Sequence, residues 1–183
     1  ETSEAMYLNS GFVYDEPETA EKRFAGEDDG YVYGRYGNPT VSMFEERLRL
    51  LEGAEDALGF ASGMAAVTTT LLAMLRSEAH VVFTNDCYRK TRQFAESVLR
   101  KMGVSCELVP PRVDAIAAAL RPNTRLVFTE SPTNPYLGVV DLECLSALAR
   151  SRRIKTIVDS TFATPFNQRP LQYGIDLGVH SPT

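Results

Sequence analysis

At 183 residues, 44% of them apolar, the chain is long enough to bury the core of one domain or a little more. A formal net charge of −5 argues against general affinity for nucleic acid or anionic membrane, and no apolar run is long enough to span a bilayer. Three cysteines, Cys87, Cys106 and Cys144, share no CxxC spacing and read as reduced thiols of a cytosolic protein, although two of them can pair in an oxidising compartment. With two histidines, His80 and His180, no metal site is expected. The first residues lack the basic-then-apolar order of a secretory signal, so a cytoplasmic location is expected. Glu1 is not an initiator Met, which leaves residues upstream, an organelle address included, open.

Residues 1–39 are rich in Gly, Tyr and acids and show no sustained periodicity, the pattern of an extended arm that needs a partner surface to become ordered. From Thr40 the pattern changes to an α/β body over 40–183. Phe44, Leu48 and Leu51 recur at helical spacing, Ser42 with Glu45 suggests a capping box, and Gly53 suits the stop. Strand-like runs follow at 56–61, 80–84, 104–109, 125–130, 154–158 and 175–179. Helices are predicted between them at about 63–76, 88–102, 113–121 and 141–153, with Gly103 closing the second and Asp141 capping the last. Such alternation predicts an α/β fold, a mainly parallel sheet flanked by helices on both faces.

In open α/β sheets, ligands bind beyond the carboxyl ends of the strands, and the residues with chemistry fall there repeatedly. Ser62-Gly63-Met64 opens a helix after a strand-like run, either as a phosphate site made of free amides or as a plain turn. Tyr88 follows 80–84 and either lays its ring against a planar ligand or packs at the rim. Glu130-Ser131-Pro132-Thr133-Asn134-Pro135 follows 125–130; its prolines fix the backbone and leave Asn134 to hydrogen-bond a ligand or to serve the turn. Asp159, just past Ile154–Val158, is either a ligand's acid or the cap of the following turn. At the far end, His180-Ser181-Pro182-Thr183 supplies two hydroxyls.

Taken in order, Tyr33-Gly34-Arg35-Tyr36-Gly37-Asn38-Pro39-Thr40, Ala61-Ser62-Gly63-Met64-Ala65, Asp86-Cys87-Tyr88-Arg89-Lys90-Thr91-Arg92, Glu130 to Pro135, Asp159 to Pro165 and His180 to Thr183 resemble the Cys/Met-metabolism family of pyridoxal phosphate (PLP) enzymes. The branch most resembled is that of the cystathionine γ-synthases. The resemblance implies the large domain of the aspartate-aminotransferase-like fold, fold type I, with the family lysine immediately after Thr183 and a further C-terminal domain beyond it. A chain that lacked the lysine would be a scaffold without chemistry.

The resemblance also implies roles. Tyr33 and Arg35 reach a neighbouring subunit's cofactor phosphate, in a homodimer or homotetramer with shared sites. Ser62, Gly63, Met64, Thr161, Ser181 and Thr183 belong to the cofactor cup, Tyr88 stacks on the pyridine ring, Asn134 lies near its hydroxyl, and Asp159 pairs with its nitrogen. These types suit the ligand: a phosphate dianion wants amides, hydroxyls and an Arg fork, and an ionised Asp keeps the ring protonated. Tyr88 and Asp159, with the lysine, are the expected catalytic set.

Two departures stand out. Arg89-Lys90 replaces a common Gly-Gly and resembles the plant type, whose substrate is a phosphorylated homoserine; these two residues either contact an anionic leaving group or are solvated charges on a helix. Pro182 stands where relatives carry a small residue. The implied reaction is γ-replacement on an O-activated homoserine by cysteine. A γ-lyase, a sulfhydrylase or a γ-replacement enzyme using a carbon nucleophile would share the same cup.

Overall fold

The structure, a computed structural model, describes residues 3–182, so Thr183 lies outside the described residues. The chain forms two compact units, residues 1–50 with 54–59, and residues 51–53 with 60–183.

In the first unit, helix α1 (Pro17–Ala25) stands inside the stretch expected to be extended. Pro at its first turn presets φ, and Gly26 closes it with φ 73°, the left-handed conformation a glycine adopts without strain. The sequence hid this helix because it buries no residue and carries no Leu, Ile or Val. Around it, Phe12 stacks on Tyr31 with ring centroids 5.3 Å apart, and Gly34 N–H donates to the Ser10 carbonyl at 2.7 Å. Helix α2 (Pro39–Glu52) begins earlier than the suggested capping box. Asn38 caps it, its side-chain oxygen accepting Thr40 N–H at 2.8 Å, with Pro39 in first place, so the box at Ser42 and Glu45 does not form. Glu45 instead accepts the N–H of Gly59 at 2.7 Å. That bond bears on a second correction: 56–61 is not a strand. Its amides find side chains rather than a ladder, Ala57 N–H donating to Asp56 and Gly59 N–H to Glu45.

The second unit carries the sheet. Strands β1 (His80–Thr84), β2 (Ser105–Val109), β3 (Thr124–Glu130), β4 (Lys155–Asp159) and β5 (Leu177–Val179) are all parallel, in the order β2-β1-β3-β4-β5. Side chains alternate faces along a strand. Val81, Phe83, Leu126, Phe128 and Ile157 pack with Val67 and Leu71 of α3 (Gly63–Met74) and with Ala95 and Leu99. Val82, Val127 and Val158 pack on the other side with Ile116 of α5 (Val113–Ala119) and Leu142, Leu145 and Ala149 of α6 (Leu142–Ser151). Burial on both faces explains why the strands read as apolar runs.

The predicted helix at 88–102 begins one residue later as α4 (Arg89–Phe94), then passes through a π turn (Ala95–Leu99) and a 3-10 turn (Arg100–Met102). Gly103, at φ 80°, ends it as expected, and Asp141 caps α6 by accepting Cys144 N–H at 2.9 Å. A short α7 (Thr164–Asn167) and a 3-10 turn (Pro170–Tyr173) lead from β4 into β5.

Candidate active site

At the start of α3, Ser62 is extended and its Oγ accepts Ala65 N–H at 3.1 Å. The Ser62 oxygen is thus occupied by capping, while the Gly63 and Met64 amides have no intrahelical acceptor, as the first amides of any helix. Together with the helix dipole they form an anion-binding end. The loop after β5 comes up against this end: a Cβ placed on Gly63 would lie 2.5 Å from the Cβ of Ser181. Only glycine permits that approach.

From Ser181 a chain of polar bonds leads back to the acid. The Ser181 N–H donates to Thr161 Oγ1 at 3.0 Å, and the Thr161 hydroxyl donates to Asp159 Oδ1 at 2.6 Å. Thr161 N–H reaches the same oxygen at 3.1 Å. Asp159 therefore does cap the turn that follows it, and both bonds fall on Oδ1, with no bond to Oδ2 among the described residues. The expected set Gly63, Met64, Asp159, Thr161 and Ser181 is gathered at one end of one sheet.

A second group lies between β1 and β3. The strand order reverses here, and the connections leave for opposite faces, α4 joining the α3 side and α6 the other. A crevice is expected at such a switch point. A cleft of about 610 Å³ occupies it, lined by Asp86, Tyr88, Arg89 and Arg92 after β1 and by Asn134 and Tyr136 after β3. Tyr88 is half exposed and Asn134 exposed, so both side chains are available to a ligand. Arg89 lines the cleft, whereas Lys90 does not; its ammonium donates to Gln93 at 3.3 Å. Arg92 donates to the Asn85 carbonyl at 2.8 Å, and its buried Nε has no partner among the described residues.

Glu130, whose own motif shows no role for it, is central to this group. It is 5% exposed at the end of β3 and pairs in register with Asp159 of β4. Its Oε2 accepts Tyr88 N–H at 2.6 Å and its Oε1 accepts Asn134 N–H at 3.1 Å. Burial first, then the charge of Asp159, push its carboxyl up to about 7. A signal existed in the sequence: β3 and β4 both end in an acid followed by serine, Glu130-Ser131 and Asp159-Ser160. Cys87 is buried, and that burial and then the charge of Glu130 push its thiol up to about 12. A buried pair also went unforeseen, His180 Nε2 and Glu52 Oε1 at 2.6 Å, beside the hydroxyl loop.

In the first unit, the Arg35 guanidinium lies 4.9 Å from the centroid of the Tyr33 ring and 5.5 Å from that of Tyr36. Thr183 lies outside the described residues. No cluster of metal-ligating side chains occurs among the described residues, and Cys87, Cys106 and Cys144 are free thiols there.

Amides at a helix start, an acid bonded through one oxygen among the described residues, and an aromatic on a switch-point cleft give an α/β protein groups of the kinds a planar, cationic organic phosphate needs. The chain belongs to the Cys/Met metabolism PLP-dependent enzyme family, whose model matches residues 1–183. It is 49% identical over 155 residues to a chloroplastic cystathionine γ-synthase of Nicotiana tabacum, covering 84% of this chain and 29% of that protein. An O-succinylhomoserine sulfhydrylase of Mycobacterium tuberculosis is 45% identical over 184 residues, covering 100% of this chain and 45% of that one. An L-methionine γ-lyase of Fusobacterium nucleatum is 39% identical over 180 residues, covering 97% and 46%. A solved Campylobacter jejuni structure, described as an O-acetylhomoserine (thiol)-lyase and carrying N'-pyridoxyl-lysine-5'-monophosphate, superposes with a TM-score of 0.90 at 30% identity, over 98% of this chain and 45% of that one. The chain thus spans less than half the length of these relatives.

Proposed function

We propose that the protein performs PLP-dependent γ-replacement on an O-activated homoserine, with cysteine as the thiol. The observation that carries this reading is the polar chain from Gly63 through Ser181 and Thr161 to Asp159, which joins an anion site to an acid along the strand ends. The residues fit the cofactor: Gly63 and Met64 amides and the Ser181 hydroxyl would hold the phosphate, with Thr183 completing the cup. Asp159 would pair with the ring nitrogen, fixed by Thr161. Tyr88 would lie against the ring and Asn134 near its hydroxyl. The bound cofactor supplies an electron sink for carbanions formed next to its imine carbon. The lysine expected after Thr183 would carry protons between substrate carbons, with Tyr88 as its neighbour.

Arg89 at the cleft supports an anionic leaving group, and the tobacco relative's printed activity supports the γ-synthase reading. The sulfhydrylase and γ-lyase names among the relatives support a second reading, in which sulfide stands in for cysteine or elimination takes the place of replacement. Tyr33 and Arg35 would serve a neighbouring subunit's phosphate. Exposed Met6, Leu8 and Val13 in the same segment support its lying on another surface.

The test is an absorbance spectrum of the full chain before and after borohydride. A yellow band that borohydride abolishes, with the cofactor fixed to the residue after Thr183, is the expected result. A colourless protein that takes up no added PLP would end this reading. Product analysis with cysteine and with sulfide then separates the two reactions.

A further inference from the structure

The cleft at the switch point is bounded by two loops that are far apart in sequence, and one side chain bonds to both. Glu130 ends β3 between them. Its two oxygens diverge, one to Tyr88 N–H at the start of α4 and the other to Asn134 N–H in the loop after β3. We propose that Glu130 is a positioning residue of the cofactor site, a carboxylate clamp that sets Tyr88 and Asn134 at their places on the cleft through their backbone amides.

Three observations support the clamp beyond the two bonds. Tyr88 is the N-cap of α4 and makes no side-chain cap of its own, so the direction of its ring depends on how its backbone is held. Asn134 likewise uses its backbone N–H on Glu130 and keeps its side chain for the cleft it lines. Glu130 is also buried next to Asp159, a place where folding favours a neutral group, yet a carboxyl stands there. An acid in that position supplies two acceptor oxygens on one side chain, one for each loop.

The proposal rests on the cofactor reading for its consequence but not for its geometry, and the test separates them. Glu130→Gln keeps length and volume and turns one acceptor into a donor, while Glu130→Asp keeps both acceptors and withdraws them by one methylene. Both are made in the full chain and studied at pH 8.5. Amide hydrogen exchange, read on protein freed of cofactor, is expected to quicken at least about tenfold at Tyr88 or Asn134 in Glu130→Gln, the loss of one net hydrogen bond. Core amides at Val127, Phe128 and Val158 should keep their protection. With PLP added, the Kd should rise about tenfold and the induced circular dichroism of the bound cofactor should change.

Exchange at both amides within twofold of the parent in Glu130→Gln would overturn the clamp. So would equal loss of protection throughout β3 and β4, which would make Glu130 a residue of the fold. A silent Gln beside a damaging Asp would also overturn it, since side-chain volume alone would then matter. If the parent binds no PLP, the cofactor reading fails while the exchange result still decides the clamp.

Discussion

The two units are built on opposite terms. Residues 60–182 place apolar side chains from β1, β3 and β4 alternately into two cores, one on each face of the sheet. In residues 3–50 and 54–59 no hydrophobic side chain is buried, and Met6, Leu8, Val13, Phe24 and Tyr36 are largely exposed. The first kind of unit derives its order from area removed from water. The second is held by stacked rings, caps and backbone bonds, each contributing only about 1 kcal/mol. Precise placement of side chains therefore belongs to the sheet, and the N-terminal unit leaves its apolar side chains exposed.

The sharpest break would come from the cores. Phe128→Ala is expected to cost about 3–5 kcal/mol in denaturant unfolding, whereas Phe24→Ala should stay within about 0.5 kcal/mol. Equal costs would show that the N-terminal unit has a core after all.

Next in size is the acid at the strand end. Asp159→Asn should reduce kcat/KM on the order of 10²–10³-fold, the effect of removing one preorganised charge partner, with an unfolding midpoint close to the parent's. A variant with activity within tenfold of the parent's would remove Asp159 from the site.

A smaller effect concerns the site's own contribution to stability. Glu130 ionises near 4.5 in an unfolded chain and only near 7 in the folded one. Between those values the unfolded chain has lost this proton and the folded chain has kept it, so the group's contribution to stability falls as pH rises through the window. The difference in unfolding midpoint between Glu130→Gln and the parent should therefore shift in the variant's favour from pH 4.5 to pH 8. A pH-independent difference would contradict the burial argument. The expected slope means that the sheet holds a carboxylate where stability alone would not keep one.

The smallest stability effect belongs to the N-terminal unit. Arg35→Ala should leave unfolding unchanged, yet mixing it with subunits lacking the family lysine should restore part of the activity through hybrid sites. Failure to recover any activity would count against a shared site.

Strand ends and helix caps were legible where local chemistry decides them. Gly103 and Asp141 act as read, because a left-handed residue and an Asx cap are settled within a few residues. The run at 56–61 misled, since a strand exists only with a partner, and its amides are satisfied by Asp56 and Glu45 instead. The box at Ser42 lost to Asn38-Pro39, a stronger start whose cap lies four residues earlier. Helix α1 escaped because it shows no apolar stripe. The role of Glu130 is illegible in its own motif, as nothing local says that its partners are Tyr88, 42 residues away, and Asn134.

By itself, then, the sequence determined the parallel α/β class and the family, since periodicity, caps and short motifs are written in neighbouring residues. Tertiary structure alone decided that β1 lies beside β3, so that Tyr88 and Asn134 face one cleft. It decided that Gly63 meets Ser181, and that Glu130 lies buried beside Asp159. These are contacts between distant segments, fixed by which strands pair and in what register, and no local pattern encodes that pairing.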